Sequence, residues 1–202
     1  MMLTEGQLVK DKYLIQGEIA SGSLRPAYRA LDTESGELML LTPVALTSEE
    51  AEGLRSDLER IRSLEHPNIA PPGEMEMTEQ GEAFLAARFV EGRTLEEVIR
   101  NEAPLMLSRA CTLARQMGMA LEAAHHAGVI HGDLTPSNVT LVRDEEEETA
   151  IICGLGMYPI EQRLFVNLAH LAVSADGQSL FGAPEYISPE QAVGTSAEAL
   201  DG

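Results

Sequence analysis

His131-Gly132-Asp133-Leu134-Thr135-Pro136-Ser137-Asn138 is the stretch whose reading decides the fold. It sets a carboxylate, Asp133, and a carboxamide, Asn138, five residues apart in a run that Gly132 and Pro136 mark as a loop. That pairing suits phosphoryl transfer. The Asp orients or accepts the proton of an attacking hydroxyl, and the Asn oxygen holds a metal ion on the phosphates. Two other readings fit the same residues. His-Gly-Asp with a following Asn also occurs in small-molecule phosphotransferases, and a turn with a capping Asp and a structural Asn would look alike.

Upstream, Leu107, Ala110, Leu113, Met117, Leu121 and Ala124 recur at helical spacing and mark a long helix, with Gly128 just past its end. Leu95, Val98 and Ile99 mark a shorter one. Downstream, residues 139–142 and 150–152 read as strands joined by the acidic turn 144–148, a solvated run. The first half has a different character. Tyr13, Ile15 and Ile19, residues 27–30 and residues 38–41 read as three strands, separated by turn chemistry at Ser21-Gly22-Ser23 and Asp32-Thr33-Glu34-Ser35-Gly36. A helix capped at Ser48 carries Leu54, Leu58, Ile61 and Leu64 and ends at His66-Pro67-Asn68. Two more strands follow, near residues 74–77 and 84–90. A β-rich half followed by an α-rich half predicts two lobes, 1–91 and 92–202.

Composition narrows the function classes. The 202 residues carry 14 Lys+Arg against 33 Asp+Glu, a formal charge of −19, which excludes nucleic acid and disfavours anionic membranes. No apolar run approaches the roughly 20 residues that span a bilayer, so no membrane segment is expected. Cys111 and Cys153 cannot build a disulfide framework, which points to the cytoplasm. The only lysines are Lys10 and Lys12, so no mechanism can use a later one.

Further markers accompany the central loop: His66-Pro67-Asn68-Ile69, Phe89-Val90-Glu91-Gly92-Arg93-Thr94-Leu95 and Gly182-Ala183-Pro184-Glu185-Tyr186-Ile187-Ser188-Pro189-Glu190. Together, in this order, they resemble the bacterial Hanks-type serine/threonine protein kinases along nearly the whole chain. The resemblance implies an α+β, bilobal protein-kinase-like fold: a five-stranded antiparallel N-lobe sheet plus helix αC, then a mostly helical C-lobe. It makes residues 19–32 the glycine-rich loop and its return strand, and residues 182–191 the A-P-E end of an activation segment. The chain stops soon after that end, so the C-lobe is expected to be truncated. The apolar face around Leu113, Met117 and Leu121 would then lack an internal partner and bind a protein or a second copy.

The departures matter as much as the matches. Against the family pattern, the glycine-rich loop keeps only Gly22, with Arg25 at its third glycine position. Thr42 stands where the lysine of V-A-I-K pairs the phosphates, and Asp57 stands for the αC glutamate. Cys153 or Ile152 stands where the D-F-G aspartate holds Mg²⁺, and neither offers a hard oxygen ligand. Thr135 replaces the catalytic-loop lysine. Carried over from the family, the adenine-pocket positions are also altered. Leu40 replaces a small roof Ala, Ala27 a roof Val and Thr140 a floor aliphatic, while Ala87 is the gatekeeper and Ile19 opens the loop. Losing one charge-stabilising donor costs on the order of 10²–10³ in rate, and here several are missing together.

The expectation is therefore a catalytically inactive kinase-like domain, a pseudokinase acting as a binding or regulatory module without a cofactor. Asp133 would be its vestigial base and Asn138 its vestigial metal position. The alternative is a weak ATP- and Mg-dependent phosphotransferase that uses Asp133 and Asn138 with Arg25 as a surrogate cation.

Overall fold

A computed structural model describes residues 2–19, 26–44, 55, 58–59, 61–78, 81–144, 147–155 and 186. The first sheet is antiparallel and contains β1 (Leu8–Val9), β2 (Tyr13–Ile19), β3 (Ala27–Asp32), β4 (Leu38–Val44), β5 (Glu74–Met77) and β6 (Ala83–Arg88), in the order β1-β2-β3-β4-β6-β5. Five of these strands lie where the sequence places them. The sixth, β1, is a two-residue edge strand joined to β2 by a tight turn in which Lys10 and Asp11 both take positive φ, 52° and 53°. Between β3 and β4, Asp32 Oδ1 accepts from the backbone N–H groups of Glu34 and Ser35, and Gly36 takes φ 74°.

Both faces of this sheet are covered, which is why β6 reads as a continuous apolar run. Phe84 and Ala86 join Tyr13, Ile15, Tyr28 and Leu41 on one side. Ala83 and Leu85 pack on the other with Val44, Met75 and Leu58. Leu58 belongs to a helical segment described at Arg55, Leu58, Glu59, Ile61 and Arg62.

The second sheet, β7 (Arg93–Thr94), β8 (Val139–Arg143) and β9 (Glu148–Ile152), packs against helix α2 (Leu107–His126). Helix α1 (Leu95–Glu102) starts on a capping box in which Thr94 and Glu97 satisfy each other's backbone N–H. Four charges tie these elements together. Arg109 grips Glu148 through two nitrogens and also meets Glu102, which in turn meets Arg93. Those bonds, first to Glu148 and then to Glu102, hold the Arg109 pKa above its usual value.

The expected unpartnered face of α2 is corrected here. Leu113 is 3% exposed, in a cluster with Val98, Val139, Leu141 and Ala150. Met117 packs against that cluster and its neighbour, and Leu121 packs with Ile61, Ile69 and Ile152. Strands β8 and β9, together with the segment around Ile69, cover the stripe that the helical pattern alone leaves bare.

Candidate functional site

The loop after α2 is built from short-range bonds. Gly128, at φ 69°, ends the helix, and Val129 N–H returns to Ala124 O at 2.9 Å. His131 is 4% exposed. Its Nδ1 accepts from Asp133 N–H at 3.3 Å, and its Nε2 lies 3.0 Å from Cys153 O. An acceptor at Nδ1 and a carbonyl facing Nε2 together assign a neutral imidazole protonated at Nε2. Burial lowers the His131 pKa and favours the same neutral form.

Asp133 and Asn138 come together as their spacing predicts. A 3₁₀ turn, Pro136–Asn138, brings the Asn138 side chain back, and Nδ2 donates to Asp133 O at 2.6 Å and to Asp133 Oδ2 at 3.1 Å. Asn138 O also accepts from Cys153 N–H at 2.8 Å. The residue that follows β9 and Ile152 is thereby fixed beside the loop. Its thiol lies 3.6 Å from Thr140 Oγ1 and 3.7 Å from Ile151 O. Burial pushes the Cys153 pKa up, so the group facing Thr140 is a neutral thiol, neither a thiolate nor a carboxylate.

The remaining positions sit on the first sheet. Leu40 pairs with Ala87 and Thr42 with Leu85 across β4 and β6, while Ile19 pairs with Ala27 across β2 and β3. The candidate residues therefore fall into two sets: Ile19, Ala27, Leu40 and Thr42 on the first sheet, and Asp133, Asn138, Thr140 and Cys153 around the second. Gly22, Arg25, Asp57 and the 182–191 segment apart from Tyr186 lie outside the described residues. Among the described residues no three His, Cys, Asp or Glu groups gather as a metal cluster, and no helix is long and apolar enough to cross a membrane.

Sequence reasoning missed two residues that hold this region in place. Gln116 is 5% exposed and Asn68 is 7% exposed, and the side chain of each bonds to the backbone of β9. The signal for Gln116 was present, since it falls at helical spacing between the buried positions Leu113 and Ala120.

A family described as the protein kinase domain matches residues 13–199. The chain is 28% identical over 204 residues to the probable serine/threonine-protein kinase PknB of Lactococcus lactis, covering 97% of this chain and 30% of that protein. It is 28% identical over 200 residues to the serine/threonine-protein kinase PknA of Mycobacterium tuberculosis, covering 95% and 44%. The chain thus spans less than half the length of the curated relatives it matches. The kinase domain of Mycobacterium tuberculosis PknI superposes with a TM-score of 0.66 at 18% identity, over 98% of this chain and 70% of that one, a likeness of fold. The chain belongs to the protein kinase family, among its bacterial Hanks-type serine/threonine members.

Proposed function

We propose that this kinase domain is a pseudokinase, a binding or regulatory module that works without nucleotide, metal or phosphoryl transfer and acts through a protein partner. The observation that carries the reading is Cys153. One of the two positions that the resemblance offers for the family's metal-binding carboxylate, it lies against Asn138 and Thr140 and presents a neutral thiol. Mg²⁺ takes oxygen ligands and is not held by a protonated thiol. Thr42 adds a second deficit, since a neutral hydroxyl cannot offset phosphate charge on a chain that already carries −19. The retained pair of Asp133 and Asn138 has a sufficient structural role, because the amide closes the loop on itself.

The same pair favours the second reading, a weak ATP- and Mg-dependent phosphotransferase. A thermal-shift titration separates the two. A ligand at 100 times its dissociation constant stabilises by about 2.7 kcal/mol. Millimolar ATP with Mg²⁺ or Mn²⁺ should leave the melting temperature unchanged; a saturable rise would overturn the pseudokinase reading.

A further inference from the structure

Among the described residues, strand β9 has a single neighbour in its sheet, β8, so its outer edge would ordinarily offer unpaired backbone groups. Two buried side-chain amides and one backbone segment occupy that edge instead. Gln116 Nε2 donates to Glu148 O at 3.1 Å, and Gln116 Oε1 accepts from Ala150 N–H at 2.6 Å. Asn68 Nδ2 donates to Ala150 O at 2.9 Å, and Asn68 O accepts from Ile152 N–H at 2.9 Å. Ala70 N–H then donates to Ile152 O at 2.8 Å, which makes a short parallel bridge. A carboxamide offers a donor and an acceptor side by side, so Gln116 on α2 stands in for a peptide unit of a missing strand.

The strand leads directly into the site. Cys153 N–H is held by Asn138 O, and Cys153 O faces His131 Nε2. An unbroken run of hydrogen bonds therefore joins residues 66–70 to the loop 131–138 by way of β9. The apolar contacts follow the same course, since Ile69, Ile152, Val129 and Leu155 share one cluster.

We propose that segment 66–70, strand β9 and loop 131–138 open and close as one cooperative unit, with Gln116 and Asn68 as its positioning residues. Each end of the unit borders a surface that a partner can reach. At one end lies a cavity of about 710 Å³ walled in part by Leu64, His66, Pro67, Ile69, Pro71 and Pro72. At the other lies the Asp133–Asn138 loop. A molecule that orders either end stabilises the other through the shared opening equilibrium, with no change of shape required. The coupling does not depend on whether the domain binds nucleotide.

Amide-resolved hydrogen exchange on the full chain tests this. The amides of Ala70, Ala150, Ile152 and Cys153 have four different acceptors, yet a single unit requires that they share one opening free energy. In Gln116→Met, which keeps the length of the side chain and removes both its bonds, all four should exchange faster by a common factor of about ten to a hundred. Phe89, whose N–H bonds Leu38 O in the first sheet, should keep its protection. Acceleration confined to Ala150, or equal acceleration at Phe89, would overturn the proposal. Should the Met variant fail to fold, the wild type decides alone. Protection factors agreeing to within about threefold across the four amides support the unit, and a wider spread refutes it.

Discussion

Tyr13 donates its phenolic hydrogen to Glu76 Oε1 at 2.5 Å, and this one bond joins β2 to β5 although β3, β4 and β6 lie between them in the sheet. The sheet must curl to allow it. Lys10, in the turn after β1, meets the other oxygen of Glu76, so the carboxylate gathers partners from the opposite side of the sheet. Burial would raise the Glu76 pKa, but the hydrogen bonds from Lys10 and Tyr13 outweigh it and lower it. The Tyr13 ring meets Phe84 edge-on, with centroids 6.0 Å apart.

Tyr13→Phe keeps that ring contact and removes the bond to the carboxylate, together with the hydroxyl's interaction with Lys12. Hydrogen bonds to charged groups are worth about 1.5–3 kcal/mol, and Glu76 keeps Lys10, so a loss near the lower figure is expected in urea unfolding. The pH profile supplies a second readout. Burial, followed by the bond to Glu76, pushes the Tyr13 pKa from 10.0 up to about 12. A folded-state pKa above the unfolded one means that this stabilisation is complete below pH 10 and is lost as pH rises toward 12. The Phe variant should lack that alkaline fall. Identical alkaline profiles for the two proteins would show that the bond carries no stability.

Gly92, between the two sheets, is fixed by space. A Cβ there would lie 2.5 Å from Leu141 O and 2.7 Å from Thr140 Cγ2. The backbone oxygen belongs to β8 and cannot step aside without disturbing its pairing with β7 and β9. Gly92→Ala should therefore cost about 1–3 kcal/mol, as overpacking does. Thr140→Ser removes the methyl contact and leaves the carbonyl, so the double variant should recover part of the loss. A neutral Gly92→Ala would mean that this junction yields.

How much was legible from the sequence depended on how local each feature is. Asp133 and Asn138 could be read because a single 3₁₀ turn sets their separation, and the Thr94 cap because its partner is three residues on. Strands β2 to β6 announced themselves through apolar runs or alternation between turn residues. Strand β1 did not, since two residues carry no period. The Leu113, Met117 and Leu121 stripe was correctly seen as apolar but wrongly left without a partner, because most of its cover comes from β8, β9 and the segment 61–69, none of them adjacent to it in the chain. Asn68 and Gln116 show the same limit. Their bonds to Ala150 span 82 and 34 residues, and no local pattern encodes such a partner.

Cys153→Asp puts a carboxylate at one of the two positions, 152 and 153, that the resemblance offers for the family's metal ligand, and its cost reveals whether the surroundings can receive one. The side chain at 153 sits near Thr140 Oγ1 and Ile151 O, and Asn138 links the same residue to Asp133. A carboxylate here would have one hydroxyl donor and a carbonyl it cannot bond. Such a group is destabilising by about 1–3 kcal/mol when ionised, and its pKa rises in the folded state. A raised folded-state pKa places the loss above the unfolded carboxylate value near 4 and relieves it below, so the variant should be weakest relative to wild type at neutral pH and nearly equal to it at pH 4. Millimolar ATP·Mg²⁺ should not restore its melting temperature, because Thr42 still provides no cation for the phosphates. Recovery to the wild-type value on adding ATP·Mg²⁺, and not on adding either alone, would mean that the nucleotide site is intact apart from its metal ligand, and that the domain stands one substitution from binding its family's substrate.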